Sequence, residues 1–358
     1  MDVGLTSEQL SLRDTVRAIL RAECPTDAAR QAITDPDRWR APWKTVVELG
    51  WTELAKQDTS GDFGPVELTV ILEECGAAIA PIPLLSSVGL AAGVLSAVDP
   101  PGQDGAAAVL ADIAAGTVAT LAVHSPGQRL PGAPMTLRNG RLRGRAVAVP
   151  NMARAELIVT LAESDSGTVA AVARTGDGVT IVTCDSTNPA QPGADIEVDA
   201  EPVAVAPVES AEAALAAPLV AVAADLVGVA GAALARSVEH AKTRRQFGVP
   251  IGAFQGIKHA LADNYVSLER ARSLTYAAAA RLERSETAWT AAAFAKAAAA
   301  DAATSCARTN VQVHGALGQT WEHDAHLYVR HAWQHAALLG DSRALYHEVG
   351  RRFAGEAK

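Results

Sequence analysis

An α+β protein in three parts is predicted: an N-terminal helical domain over residues 1–115, a middle β-barrel-like domain over 116–207 and a C-terminal helical bundle over 208–358. Three observations predict it. Apolar residues recur at three- and four-residue spacing in the first part, short β-branched runs between glycine and proline turns fill the second, and long alanine-rich stretches occupy the third. At 358 residues, 49% hydrophobic and 20% charged, the chain is also too long for one compact pair of layers.

The first part opens on Thr6-Ser7-Glu8-Gln9, where Thr6 can cap a helix and Gln9 can close the capping box. Helices are expected over Glu8–Arg21, Trp43–Ala55, Val66–Ala80 and Leu84–Leu95. Breaks are expected at Asp35-Pro36, Gly61-Asp62-Phe63-Gly64-Pro65 and Pro81-Ile82-Pro83. Strands are expected over Val118–Val123, Leu142–Val149, Glu156–Leu161, Thr168–Ala173, Val179–Thr183 and Ile196–Val198. Pro126-Gly127, Pro131-Gly132, Asn139-Gly140 and Asp177-Gly178 supply turns between them, and the polar stretch Asp185–Asp195 marks the end. Helices over Ala211–Arg244, Phe254–Glu283, Thr287–Val313 and His326–Phe353 complete the chain. Helices so rich in alanine approach closely, and neighbouring chains can pack on the same bundle.

Composition excludes several classes. With a net charge of −9 and a pI near 5.5, the chain has no basic surplus to hold nucleic acid or anionic lipid. Cys24, Cys75, Cys184 and Cys306 lie far apart, with neither disulfide nor zinc spacing, and read as small buried hydrophobes in a reducing, cytoplasmic setting. The charged amphipathic start is not a signal peptide. Ala213–Ala235 is long and almost uncharged, but its alanine, glycine and valine transfer weakly to hydrocarbon and Asp225 sits at its centre, so a buried bundle helix is expected rather than a membrane span.

Two segments carry chemistry. In Thr243-Arg244-Arg245-Gln246-Phe247-Gly248, followed by Gln255, a guanidinium at a helix end offers forked donors to phosphate oxygens; the same pattern also suits a solvated basic helix end and a turn. In Gln312-Val313-His314-Gly315-Ala316-Leu317-Gly318 the glycines let backbone pass close to a cofactor and expose N–H groups to it; a tight turn between helices is the alternative.

Together these segments, with Thr320-Trp321-Glu322-His323-Asp324 and Leu338-Leu339-Gly340-Asp341, resemble the C-terminal signature of the acyl-CoA dehydrogenase flavoenzymes. The residues Trp43–Trp51, Gly61–Gly64 and Leu72-Glu73-Glu74 to Pro83-Leu84-Leu85 look like that family's first helices, so the resemblance covers nearly the whole chain. It implies FAD as cofactor. Arg244 would face the pyrophosphate of an FAD held mainly by a neighbouring subunit, Phe247 and Gln255 would line its adenosine side, and Gln246 with Gln312, Gly315, Ala316 and Gly318 would complete the contact. Ala316 replaces the family's usual second glycine.

The chain departs from the family where the reaction occurs. Counting from Gln312 without a gap, the family's catalytic glutamate falls on Leu339; counting back from Phe247-Gly248, the alternative position on the preceding long helix falls on Pro218. Neither can accept a proton. Asp341 is the nearest carboxylate and could be a displaced base. In the β part, Val123-His124-Ser125-Pro126-Gly127-Gln128 stands where an acidic Ser-Asp segment is usual, and Ala148 stands where an aromatic residue covers the flavin ring. Loss of this subunit's own ring pocket is the expectation.

Among His314, His323, His326, His331 and His335, the pair His331 and His335 lies one helical turn apart, a metal-compatible spacing that His323, Asp324 or His326 could extend. Polar packing or a subunit contact is the expected role, with no metal. The resemblance implies a subunit of an α2β2 acyl-CoA dehydrogenase forming a trans-2-enoyl-CoA, with a steroid side-chain or other bulky acyl-CoA as substrate and an electron-transfer flavoprotein as acceptor. A homologous partner would supply the glutamate, and this chain alone would be inactive. A flavin-free scaffold or binding protein that stabilises a partner is the alternative.

Overall fold

The computed structural model describes residues 4–56, 64–97, 104–176, 178–282 and 287–356. The first helix, α1 (Ser7–Glu23), starts on the expected capping box: Gln9 N–H donates to Thr6 Oγ1 at 3.2 Å, and Thr6 N–H donates to Gln9 Oε1 at 3.0 Å. It is followed by α2 (Thr26–Thr34), a short helix that buries Ala28, Ala29 and Ala32 and that apolar spacing did not reveal. The expected helix Trp43–Ala55 is interrupted. Helix α3 (Arg40–Glu48) stops before Gly50, whose φ of 75° no α-helix accommodates, and a 3-10 turn spans Trp51–Lys56. The expected break residues Gly61-Asp62-Phe63 lie outside the described residues, and α4 (Pro65–Ala77) begins directly after them with proline in its first turn. A fully buried π-helical segment, Leu85–Ala92, runs into α5 (Gly93–Leu95), and α6 (Asp104–Ala114) closes this part.

Eight strands follow: β1 (Ala119–Ala122), β2 (Met135–Arg138), β3 (Arg141–Pro150), β4 (Leu157–Ser164), β5 (Gly167–Arg174), β6 (Val179–Thr183), β7 (Gly193–Ala200) and β8 (Ala204–Pro207). They form one sheet in the order β6-β7-β3-β2-β4-β5-β8, with β1 parallel to the first half of β4. Two strands, β2 and β8, escaped the expectation because each has only four residues and little β-branching. Asn139-Gly140 does turn β2 into β3, with φ of 50° and 74° at the two residues, as a two-residue hairpin requires. Asp177 lies outside the described residues. The β3–β7 ladder slips between Ala146 and Val149, a bulge that sets Ala148 at φ 53° with its N–H donating to Asp195 Oδ1.

The third part is built on α7 (Ala211–Thr243) and α9 (Ala288–His314), the most extensively packed pair of elements, flanked by α8 (Gln255–Ala279). By length and composition α7 could cross a membrane, but 89% of its most apolar window is buried inside the protein, so it is a core helix. Glycine explains how closely it sits on α4. A Cβ at Gly228 would lie 1.8 Å from the Glu73 carbonyl oxygen, and one at Gly76 would lie 2.0 Å from that of Asp225. The single helix expected over His326–Phe353 is two, α10 (Ala325–Ala337) and α11 (Ser342–Glu356), because Leu339 and Gly340 adopt φ of 58° and 97°. The cysteines also need one correction: Cys24, Cys75 and Cys306 are buried, but Cys184 is exposed.

Candidate functional site

One surface gathers the two sequence motifs. Helix α7 ends at Arg244, which caps it, and a two-residue hairpin follows: β9 (Arg245–Gln246) pairs with β10 (Val249–Pro250). Phe247 and Gly248 form its tip at φ 52° and 83°. The Phe247 side chain is 92% exposed and meets Phe254 edge-on at 6.1 Å. Arg244, Gln246 and Gln255, the first residue of α8, are also exposed, and among the described residues the Arg244 guanidinium has no ion-pair partner. Gln246 turns its amide onto the neighbouring Arg245 carbonyl.

The second motif lies across from it. Gln312 is exposed in the last turn of α9, and Gly315 ends that helix at φ 64° and ψ −142°, a conformation that favours glycine. A 3-10 turn over Gly315–Gln319 follows, with Ala316 exposed and Gly318 buried so closely that a Cβ would meet the Val311 carbonyl oxygen at 3.0 Å. A row of imidazoles, each tilted against the next, unites the motifs: His240, one turn before Arg244, lies 4.1 Å from His314, which lies 4.4 Å from His323. His314 Nδ1 donates to the Asn310 carbonyl, while His323 Nδ1 accepts from Ala325 N–H. Burial first, then the neighbouring His314, lowers the pKa of both His240 and His323, so those two rings favour the neutral form. Sequence reading did not find this row, because His240 lies far from the other two along the chain.

The two positions at which the resemblance would place a base are both buried. Pro218 packs in α7 against Gly93, where a Cβ would come within 3.2 Å of the proline ring. Leu339 is 0% exposed and donates its backbone N–H to His124 Nε2 at 3.1 Å. Burial, then Lys296, pulls His124 down to about 4. Lys296 is itself fully buried, and its ammonium group donates to the carbonyls of Ala336, at 2.6 Å, and Gly340, which α10 leaves open at the break. Burial lowers its pKa to about 7, against the opposing pull of Asp341 and Asp301. Asp341 caps α11 through Ala344 N–H at 2.9 Å and pairs with Arg129 at 2.6 Å. Burial opposes its ionisation, yet those two partners hold it below the ordinary carboxylate range, which makes it a poor proton acceptor.

Beside Leu339 lies a cavity of about 440 Å³ walled by His124, Ala148, Cys184, Gln334, His335 and Asp341. It lies beside the bulge that carries Ala148, and Trp333 of α10 also lines it. Behind this wall, a carboxylate and two imidazoles meet: Asp225 Oδ2 lies 2.8 Å from His331 Nε2 and 2.7 Å from His335 Nδ1, all three residues buried. His323, Asp324 and His326 do not join them. His323 meets His314 at a tilt, Asp324 pairs with Arg30, and His326 stacks on Trp321.

Helices, then a sheet, then a helical bundle with a basic hairpin beside a glycine turn define an acyl-CoA dehydrogenase fold. Residues 6–117 match the acyl-CoA dehydrogenase N-terminal domain and residues 208–353 its C-terminal domain. Acyl-CoA dehydrogenase FadE27 of Mycobacterium tuberculosis is 30% identical over 373 residues, covering 99% of each chain. A chain of the ChsE4–ChsE5 complex from Mycobacterium tuberculosis superposes with a TM-score of 0.86 at 27% identity over 99% of both chains. One from the Tcur3481–Tcur3483 steroid ACAD, a G363A variant, gives 0.88 at 25% over 98% of both. The chain belongs to the acyl-CoA dehydrogenase family, whose members are FAD-dependent oxidoreductases. The exposed surface fits such a cofactor's outer half: an uncompensated guanidinium suits a diphosphate, and the Gly315 turn and Phe247 offer close backbone and an apolar face.

Proposed function

We propose that this chain is the base-less subunit of a heteromeric, cytoplasmic acyl-CoA dehydrogenase that forms a trans-2-enoyl-CoA, and that it completes the FAD site of a homologous catalytic partner. The observation that carries this reading is an asymmetry within one chain. Arg244, Phe247 and the Gly315 turn are displayed outward, while Leu339 and Pro218 are apolar and buried where a base would stand. In a homodimer each subunit holds its own flavin ring and also reaches to its neighbour's, so keeping only the second role makes sense beside a different chain. The likeness to chains of the ChsE4–ChsE5 complex and of a steroid ACAD supports an α2β2 assembly acting on a steroid side-chain or other bulky acyl-CoA.

In this assembly the partner's glutamate takes the α-proton of the thioester. FAD, when bound, supplies acceptance of the β-hydrogen as hydride, with an electron-transfer flavoprotein as the onward acceptor. This chain's residues do binding work. Arg244 holds the diphosphate by forked donors, Phe247 and Gln255 cover the adenosine side with Gln246 beside them, and the turn from Gln312 through Gly315 and Ala316 to Gly318 brings backbone N–H groups close.

Visible absorption tests this. The chain alone is expected to be colourless, the purified complex yellow with one FAD per αβ pair, and Arg244→Ala in the complex flavin-poor. Two flavins per pair, or a yellow chain alone, would overturn the shared site. Unchanged flavin content in the Arg244→Ala complex would favour a flavin-free scaffold role for this chain.

A further inference from the structure

The Asp225–His331–His335 cluster has no part in the reading above, and we infer that it is a divalent transition-metal site of the Zn²⁺ type. Its ligand atoms, Asp225 Oδ2, His331 Nε2 and His335 Nδ1, lie within 4.8 Å of one another. Two histidines at i and i+4 present imidazoles to one point on a helix face, and a carboxylate from a second helix supplies the third ligand. Here α10 gives the histidines and the middle of α7 gives the aspartate, so two rigid elements set the geometry.

Charge argues in the same direction. Asp225 is buried and meets both imidazoles through one oxygen, Oδ2. Its direct partners in the cluster are two imidazoles rather than a guanidinium or ammonium group. A divalent cation at the point where the three groups meet would give that buried carboxylate a full counter-charge. Binding through His331 Nε2 and His335 Nδ1 requires the remaining ring proton of each to sit on its other nitrogen, Nδ1 of His331 and Nε2 of His335. His331 Nδ1 lies 3.5 Å from the Asn188 side-chain amide, which on flipping offers its oxygen to that proton. Asn188 is held in turn by Gln334 at 2.9 Å. Of the three, His335 also lines the 440 Å³ cavity, the side from which a metal and a fourth, water ligand would have to come. Ligand atoms around tetrahedral Zn²⁺ stand ~3.3 Å apart at usual bond lengths, so the 2.7 and 2.8 Å contacts open by roughly 0.5 Å on loading.

The test uses the full chain carrying Cys184→Ser, which removes the exposed thiol as a rival ligand. After chelator treatment and equilibrium dialysis against Zn²⁺, metal analysis is expected to find one bound ion per chain and thermal melting a raised Tm. Asp225→Asn and His335→Gln are expected to weaken binding at least about tenfold and to abolish the Tm rise. Equal Zn²⁺ binding by wild type and folded variants, or none by wild type, would overturn the site and leave a hydrogen-bonded buried anion. Should both variants fail to fold, Co²⁺ in the wild-type chain decides. A tetrahedral visible spectrum supports the site, and an octahedral, water-like one overturns it. Flavin is absent from every measurement, so this outcome is independent of the proposed subunit role.

Discussion

The backbone N–H of Leu339 donates to Nε2 of His124 across 3.1 Å, with both residues buried. The contact joins the sheet to the break between α10 and α11, and it requires a neutral imidazole, because a protonated Nε2 would face N–H with N–H. Burial and Lys296 accordingly bring His124 to about 4, against an ordinary value of 6.5. Since the folded protein binds this proton less readily than the unfolded chain, the stability from His124 is complete above pH 6.5 and is lost as pH falls through about 4. Urea unfolding followed across that window is expected to show the decline. In His124→Gln, which keeps an acceptor for Leu339 without titrating, the decline should flatten; an unchanged pH profile would show that this contact does not govern it.

Lys296 leads to a second expectation. Its ammonium group binds the Ala336 and Gly340 carbonyls on either side of Leu339, so Lys296→Met leaves two buried acceptors without their donor. A loss of ~1–3 kcal/mol is expected, with faster amide exchange at Leu339 and Gly340. Because burial brings the folded pKa to about 7 from 10.5, the unfolded chain holds this proton more tightly between those values. The contribution of Lys296 to stability is therefore expected to rise from pH 7 toward 10.5, and Lys296→Met should remove that slope in chemical denaturation.

Periodic features of the fold were legible in the sequence, and features set by long-range meeting were not. Thr6 and Gln9 announced α1, Asn139-Gly140 announced a hairpin, and Arg244 to Gly248 announced an exposed turn, because each depends on neighbours in the chain. The break at Leu339 was invisible: no proline marks it, and its φ of 58° is held by His124 and Lys296 from distant elements. Lys296 itself lies in an alanine-rich run that reads as bulk helix. Asp225 looked like an obstacle to membrane insertion, and only the packing of α7 against α10 makes it the partner of His331 and His335. The spacing of those histidines was readable, but their third partner was not.

The α4–α7 crossing supplies a stability test in which no polar group changes. Gly228 faces the backbone of Glu73, and a methyl group there would overlap its carbonyl oxygen at 1.8 Å, a contact that no side-chain rotation relieves. Gly228→Ala is expected to cost about 3 kcal/mol or more, outweighing the gain in helix propensity. Gly231→Ala, in the next turn, would meet only side-chain ends, Arg272 at 3.4 Å and Leu268 at 3.9 Å, and is expected to be nearly neutral. Equal Tm values for the two variants would mean that α4 and α7 are less tightly apposed than their glycines indicate.

Phe247 separates folding from association most cleanly. At 92% exposure it adds little to the chain's own core, although it sits at a positive φ that a large side chain adopts only at some cost. An aromatic ring held in solvent on a rigid two-residue turn gains when a second surface covers it. Phe247→Ala is therefore expected to leave the melting of the isolated chain within ~0.5 kcal/mol of wild type. In the same variant, affinity for the catalytic partner should fall roughly tenfold or more, measured by titration calorimetry or sedimentation. Phe247→Gly removes the same ring while relieving the backbone, so it should match the alanine variant in association and exceed it in stability. If both variants bind the partner as wild type does, the hairpin tip lies outside the subunit contact, and the shared cofactor site would have to be formed without it.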